Sequence, residues 1–147
     1  MRSIIGILVL GTVSTSQAGD LILPLRCELQ SLGCLALVSD SGELPCPVDW
    51  SGTAYLLRAG TDTKANLHIL DDHYRGVALK CSELQCAMRV GNHARNYVIK
   101  IDRVTAGISV LREIKIGNGD WWTFISELFT GTCRHVGDWG LADMRDP

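Results

Sequence analysis

Six cysteines, at positions 27, 34, 46, 81, 86 and 133, all follow an N-terminal segment that reads as an export signal. An even set of cysteines in an exported chain favours three disulfides over metal or thiol chemistry, so this order constrains the fold more than any other feature. The leader has a basic start at Arg2, an apolar run over residues 4–13, and small residues at Ser16 and Ala18, the two positions a signal peptidase reads. We place the cut after Ala18. The apolar run is roughly half of what crosses a hydrocarbon core of about 30 Å, which argues against a retained anchor. Arg26, immediately before Cys27, fits a lipidation site badly. Residues 19–147 are then expected to form one soluble domain, periplasmic or secreted, with no further apolar stretch long enough to cross a membrane.

Sequence alone leaves the pairing of six cysteines open. One pair is better determined than the rest: Val77-Ala78-Leu79-Lys80-Cys81 and Cys86-Ala87-Met88-Arg89-Val90 read as two strands joined by four residues. Cysteines flanking such a loop face each other across a hairpin, so we expect Cys81–Cys86. For the remaining cysteines we take Cys34–Cys46, closing a loop through the turn at residues 39–42, and Cys27–Cys133, tying the first strand to the last. A long-range bridge of the second kind contributes roughly 4 kcal/mol through restriction of the unfolded chain.

Short runs with β-branched or aromatic residues recur along the chain, bounded by Gly, Asp or Asn, and several alternate apolar with polar positions. The clearest pair is Tyr97-Val98-Ile99-Lys100-Ile101-Asp102-Arg103 followed by residues 108–116. There Ile108, Val110, Ile114 and Ile116 share one face, which Arg112 interrupts, while Ser109, Glu113 and Lys115 take the other. A turn at residues 117–120 leads to a further strand over residues 121–126, and earlier strands are expected at 32–39, 54–58 and 66–70. About eight short strands in one domain predict an all-β, mainly antiparallel fold, a small disulfide-stabilised β-barrel or β-sandwich that hides its sheet edges. Helix is expected only in a turn near residues 126–129 and in the polar C-terminal tail.

The stretch from Tyr97 to Thr105, with the later Phe129-Thr130-Gly131-Thr132-Cys133, resembles a strand, turn, strand and closing Gly-x-Cys pattern of small exported bacterial proteins with no assigned activity. In outline the chain is also similar to small periplasmic lysozyme inhibitors, which are disulfide-bearing β-barrels. No loop of theirs matches residue by residue, so no inhibitory residue is carried over.

A formal net charge of −2 with both signs mixed along the chain offers no basic stripe for phosphates, which sets nucleic acid aside as a partner. Catalytic patterns are missing: Gly-x-Ser-x-Gly does not occur, and Cys81 and Cys86 do not have thioredoxin-like spacing. His68, Asp71, Asp72 and His73 lie close together in sequence. A metal site of His68, Asp71 and His73 is an alternative, but on a continuous strand residues five apart point to opposite faces, and only a turn at Asp71-Asp72 returns them to one side. We expect no metal and no cofactor there.

Tryptophans give a better lead. Trp121 and Trp122 are consecutive, so on a strand one of them faces outward, and Trp50 and Trp139 lie in turn-like surroundings. Arg89, Arg95 and Arg103 accompany His93 around a loop at residues 91–96, which suits an acidic partner. These residues predict an exported, soluble, non-enzymatic binding module with a protein partner in the envelope or extracellular space, contacted through Trp121, Trp122, His93 and Arg95. Inhibition of a hydrolase is one version. The alternatives are a small histidine/carboxylate enzyme, with or without a metal, and a structural envelope protein with no dedicated site.

Overall fold

The computed structural model describes residues 23–40, 42–46, 51–60, 63–117, 120 and 122–137, and every regular element among them is a strand. The ten strands are β1 (Leu25–Val38), β2 (Gly42–Pro45), β3 (Ser51–Arg58), β4 (Lys64–Ile69), β5 (Asp72–Ala78), β6 (Lys80–Cys81), β7 (Gln85–Gly91), β8 (Arg95–Asp102), β9 (Gly107–Gly117) and β10 (Trp122–His135). They form one antiparallel sheet in the order β5-β4-β3-β1-β10-β9-β8-β7-β6, with β2 added beside β1. The sheet rolls until β5 lies against β7, so the fold is a nearly closed barrel rather than a two-layer sandwich.

Alternation decides which side of each strand is inside. Leu25, Cys27 and Leu29 of β1, Leu67 and Ile69 of β4, Tyr97, Ile99 and Ile101 of β8, and Ile108 and Val110 of β9 are all buried, and the residues between them face outward. The outward positions are largely polar, as with Arg26, Glu28 and Gln30 on β1 and Lys64, Asn66 and His68 on β4.

The structure corrects three expectations. Residues 77–81 are not one strand: Val77 belongs to β5 at one edge of the sheet, whereas Lys80 and Cys81 form β6 at the other. Buried Leu79 makes the crossing, its N–H donating to the Thr63 carbonyl at 2.8 Å. Residues 126–129 form no helical turn but lie within β10, because β1 and β9 pair with both edges of that stretch and satisfy its backbone groups. There are also ten strands among the described residues, not eight.

Three disulfides join Cys27 to Cys133, Cys34 to Cys46 and Cys81 to Cys86. Cys27 and Cys133 sit directly opposite each other on β1 and β10 inside the core, and on β6 and β7 half-buried Cys81 lies opposite buried Cys86. Such bonds suit an oxidising compartment.

The barrel does not use the whole length of its longest strands. β1 pairs with β10 from Leu25↔His135 to Val38↔Thr123, yet β3 accompanies it only over residues 25–30. A bulge between Ser31 and Gly33 makes Leu32 an extra residue, and past it β1 runs between β2 and β10. With the second half of β9 this makes a four-stranded extension, β2-β1-β10-β9, and among the residues whose burial is described none of it joins the buried core.

Candidate functional site

Three places bring chemistry-bearing residues together. The first is the rim where the barrel meets the extension. Glu127 of β10, Arg112 of β9 and Tyr97 of β8 are successive cross-strand neighbours on the inward face. Arg112 donates from Nε to the Glu127 carboxylate at 3.0 Å, adds a second contact through Nη2, and lies over the Phe129 ring. Across the seam, Asp72 of β5 accepts from both the Tyr97 hydroxyl and Arg95 Nη1, the latter at 2.8 and 2.9 Å. Tyr74 meets Tyr97 edge to face at 5.9 Å between ring centroids. A chain of charge-assisted contacts therefore stitches β5 to β8 and covers one end of the apolar core.

These contacts set the protonation states. Burial pushes the Asp72 carboxyl up, but the Tyr97 hydroxyl and the Arg95 and Arg112 guanidiniums outweigh it and hold the carboxyl below its ordinary value. Burial and then the hydrogen bond to Asp72 push the Tyr97 phenol up to about 12. Arg95 is held above its usual value chiefly by the hydrogen bond to Asp72. Each of these shifts moves a group away from neutral pH.

The second place is the extension itself. It exposes Leu35 (41%), Ile116 (49%), Trp122 (37%) and Leu128 (38%), and Leu32 stands out at the bulge. From the strand register, Leu35, Leu37, Phe124, Trp122, Leu128 and Leu111 lie on the outer face, while Ala36, Val38, Ile125, Ile114 and Ile116 continue the barrel's inner face past the Arg112–Glu127 pair. Both faces carry apolar rows, and among the described residues no second layer of strands covers either.

The third place is the β4–β5 hairpin. The two-residue turn at Leu70 and Asp71 sets His68 directly opposite His73, both on the outer face. Leu70 has φ 57°, the left-handed conformation that lets so short a turn close. The Nδ1 atoms are 2.5 Å apart and the rings edge to face, with centroids 4.3 Å apart. Burial, then the neighbouring His73, lowers the pKa of His68.

Of the residues singled out from sequence, His68 and His73 come together, contrary to the expectation for a continuous strand, because the turn reverses the chain. Asp71 does not join them: among the described residues no group of three His, Cys, Asp or Glu converges on a common point. The arginine cluster around His93 dissolves. Arg95 turns toward Asp72, and Arg103 lies at the opposite end of β8 with its Nη1 donating to the Ser82 carbonyl. His93 is exposed in the loop. Trp122 begins β10 and is exposed, whereas Trp121, Trp50 and Trp139, like the leader at residues 1–18, lie outside the described residues.

Sequence reasoning missed the rim. Its one signal was Arg112 breaking an apolar row, since a charge on a core face calls for a partner, and Glu127 is that partner. No protein-family model and no curated protein matches the chain.

Proposed function

We propose that this protein is an exported, non-enzymatic binding module that contacts a protein partner of the envelope or extracellular space through its projecting β2-β1-β10-β9 sheet. The carrying observation is that this sheet lies outside the barrel's core yet exposes Leu35, Ile116, Trp122 and Leu128. A sheet with apolar rows on its surface gains by being covered, and an exposed tryptophan among leucines is the side-chain set that anchors protein interfaces. The three disulfides support an exported setting. An apolar interior with polar outward positions on the barrel supports a water-facing protein over one that sits in lipid.

The rim supports binding over catalysis. Its acids and bases are spent on one another, with Asp72 held ionised and Tyr97 held neutral, so neither is poised to exchange a proton near pH 7.

The test is capture from an envelope or culture-fluid fraction by the mature protein, run beside Leu35→Ser/Trp122→Ser and His93→Ala, with thermal midpoints checked for each. The expected result is a discrete partner retained by the wild type and by His93→Ala but lost by the double variant. Retention by the double variant, or loss with His93→Ala alone, moves the contact surface away from the projecting sheet. Any hydrolase activity of the captured partner is then assayed with and without the protein, which reads out the inhibitor version.

A further inference from the structure

We propose that His68 and His73 form a two-imidazole chelate on the outer face of the β4–β5 hairpin, suited to a divalent copper ion. This goes beyond the binding-module reading and uses none of the residues of the projecting sheet. The two residues are set opposite each other by strand register, not by a loop, so the backbone fixes the separation of their Cβ atoms. Their Nδ1 atoms face each other at 2.5 Å, and two nitrogen lone pairs cannot meet at that distance with nothing between them. In the metal-free protein one ring's Nδ1–H donates to the other. When that proton shifts to Nε2 of the same ring and the rings turn apart, both Nδ1 lone pairs are free to converge on one ion, with no net loss of a proton from the neutral pair.

Donor chemistry selects the ion. Imidazole nitrogens suit copper and zinc alike, and the ordinary order of divalent affinities places copper above zinc. Binding requires the two rings to turn until their lone pairs converge on a metal about 2.0 Å from each nitrogen.

The surroundings allow the remaining positions to be filled. His68, His73, Tyr55, Thr53 and Leu70 line an open cavity of about 130 Å³, which has room for water ligands. Tyr55 is the cross-strand neighbour of His68 on β3 and carries the Arg26 guanidinium 5.6 Å from its ring centroid, so an aromatic wall and two hydroxyl groups flank the pair.

The experiment titrates the mature, disulfide-intact protein with cupric sulfate against glycine as a weak competitor and follows the copper by electron paramagnetic resonance. The expected result is one tight equivalent whose spectrum shows nitrogen ligation, weakened at least tenfold by His68→Ala and by His73→Ala and unchanged by His93→Ala. Zinc sulfate is expected to bind at least tenfold more weakly than copper. Both substitutions remove surface side chains, and an unchanged thermal midpoint of each variant separates loss of the chelate from loss of the fold. Copper binding that survives both substitutions, a site that follows His93 instead, zinc binding tighter than copper, or no binding above the glycine competitor overturns the proposal.

Discussion

Asp72 ties β5 to both Arg95 and Tyr97 across the seam. Its carboxyl is held below the ordinary value near 3.9, so the stabilisation it supplies is complete above about pH 4 and is lost as pH falls through the lowered folded value. Asp72→Asn is therefore expected to be less stable than the wild type at pH 7 and to show a shallower loss on acidification, read from urea midpoints between pH 2 and 7. The opposite sign holds for Tyr97, whose phenol is raised to about 12. Its contribution is present below about pH 10 and disappears as pH climbs through 12, so Tyr97→Phe should flatten the alkaline limb. Gly131 answers to space alone: a Cβ there would lie 1.7 Å from the Glu28 carbonyl oxygen of β1. Gly131→Ala should cost about 2–4 kcal/mol in chemical denaturation by prising β1 from β10. Ala106 is the reverse case, holding a left-handed φ of 60° while its carbonyl accepts from Cys133 N–H. Ala106→Gly relieves that strain at the expense of chain entropy and should gain about 0.5 kcal/mol.

Among the elements, β8 and β9 were legible because their apolar positions alternate cleanly and a short turn at residues 103–106 separates them. The Cys81–Cys86 pairing was legible because the two cysteines flank a four-residue loop, although the strand expected before it divides between β5 and β6. The second half of β1 was expected as a strand over residues 32–39, but its continuity with residues 25–31 was not, since the run Leu35-Ala36-Leu37-Val38 is apolar on both faces and carries no period that joins it to the alternation before the bulge. The β4–β5 turn was placed one residue late because Leu70 is not a residue type that signals a left-handed conformation, so Asp71-Asp72 looked like the reversal and the opposition of His68 and His73 stood only as the alternative to a continuous strand. Disulfides divide by element as well. Replacing Cys27 and Cys133 by alanine removes a bridge between residues 106 apart within the core, and should cost roughly 4–5 kcal/mol of global stability. Replacing Cys34 and Cys46 affects a hairpin outside the core, so the barrel's thermal midpoint should move little while proteolytic cleavage within residues 32–46 accelerates.

Taken whole, the molecule is a barrel with an apolar interior and a sheet that outgrows it. A closed barrel protects its edges by pairing, and here the seam where β5 lies against β7 is finished by side chains reaching β8, which is why charged groups gather where backbone pairing ends. Among the described residues no second layer covers the extension, and its apolar rows are the surface on which the proposed binding rests. Hydrogen exchange read by mass spectrometry tests that account most directly, on the free protein and on the complex recovered by capture. In the free protein, amides at residues 32–38 and 122–128 should exchange much faster than those at 97–101 and 108–110, and in the complex those two slow segments should be unchanged while 32–38 and 122–128 become protected. Protection confined to residues 91–96, or none at 122–128, would contradict the projecting sheet as the contact surface.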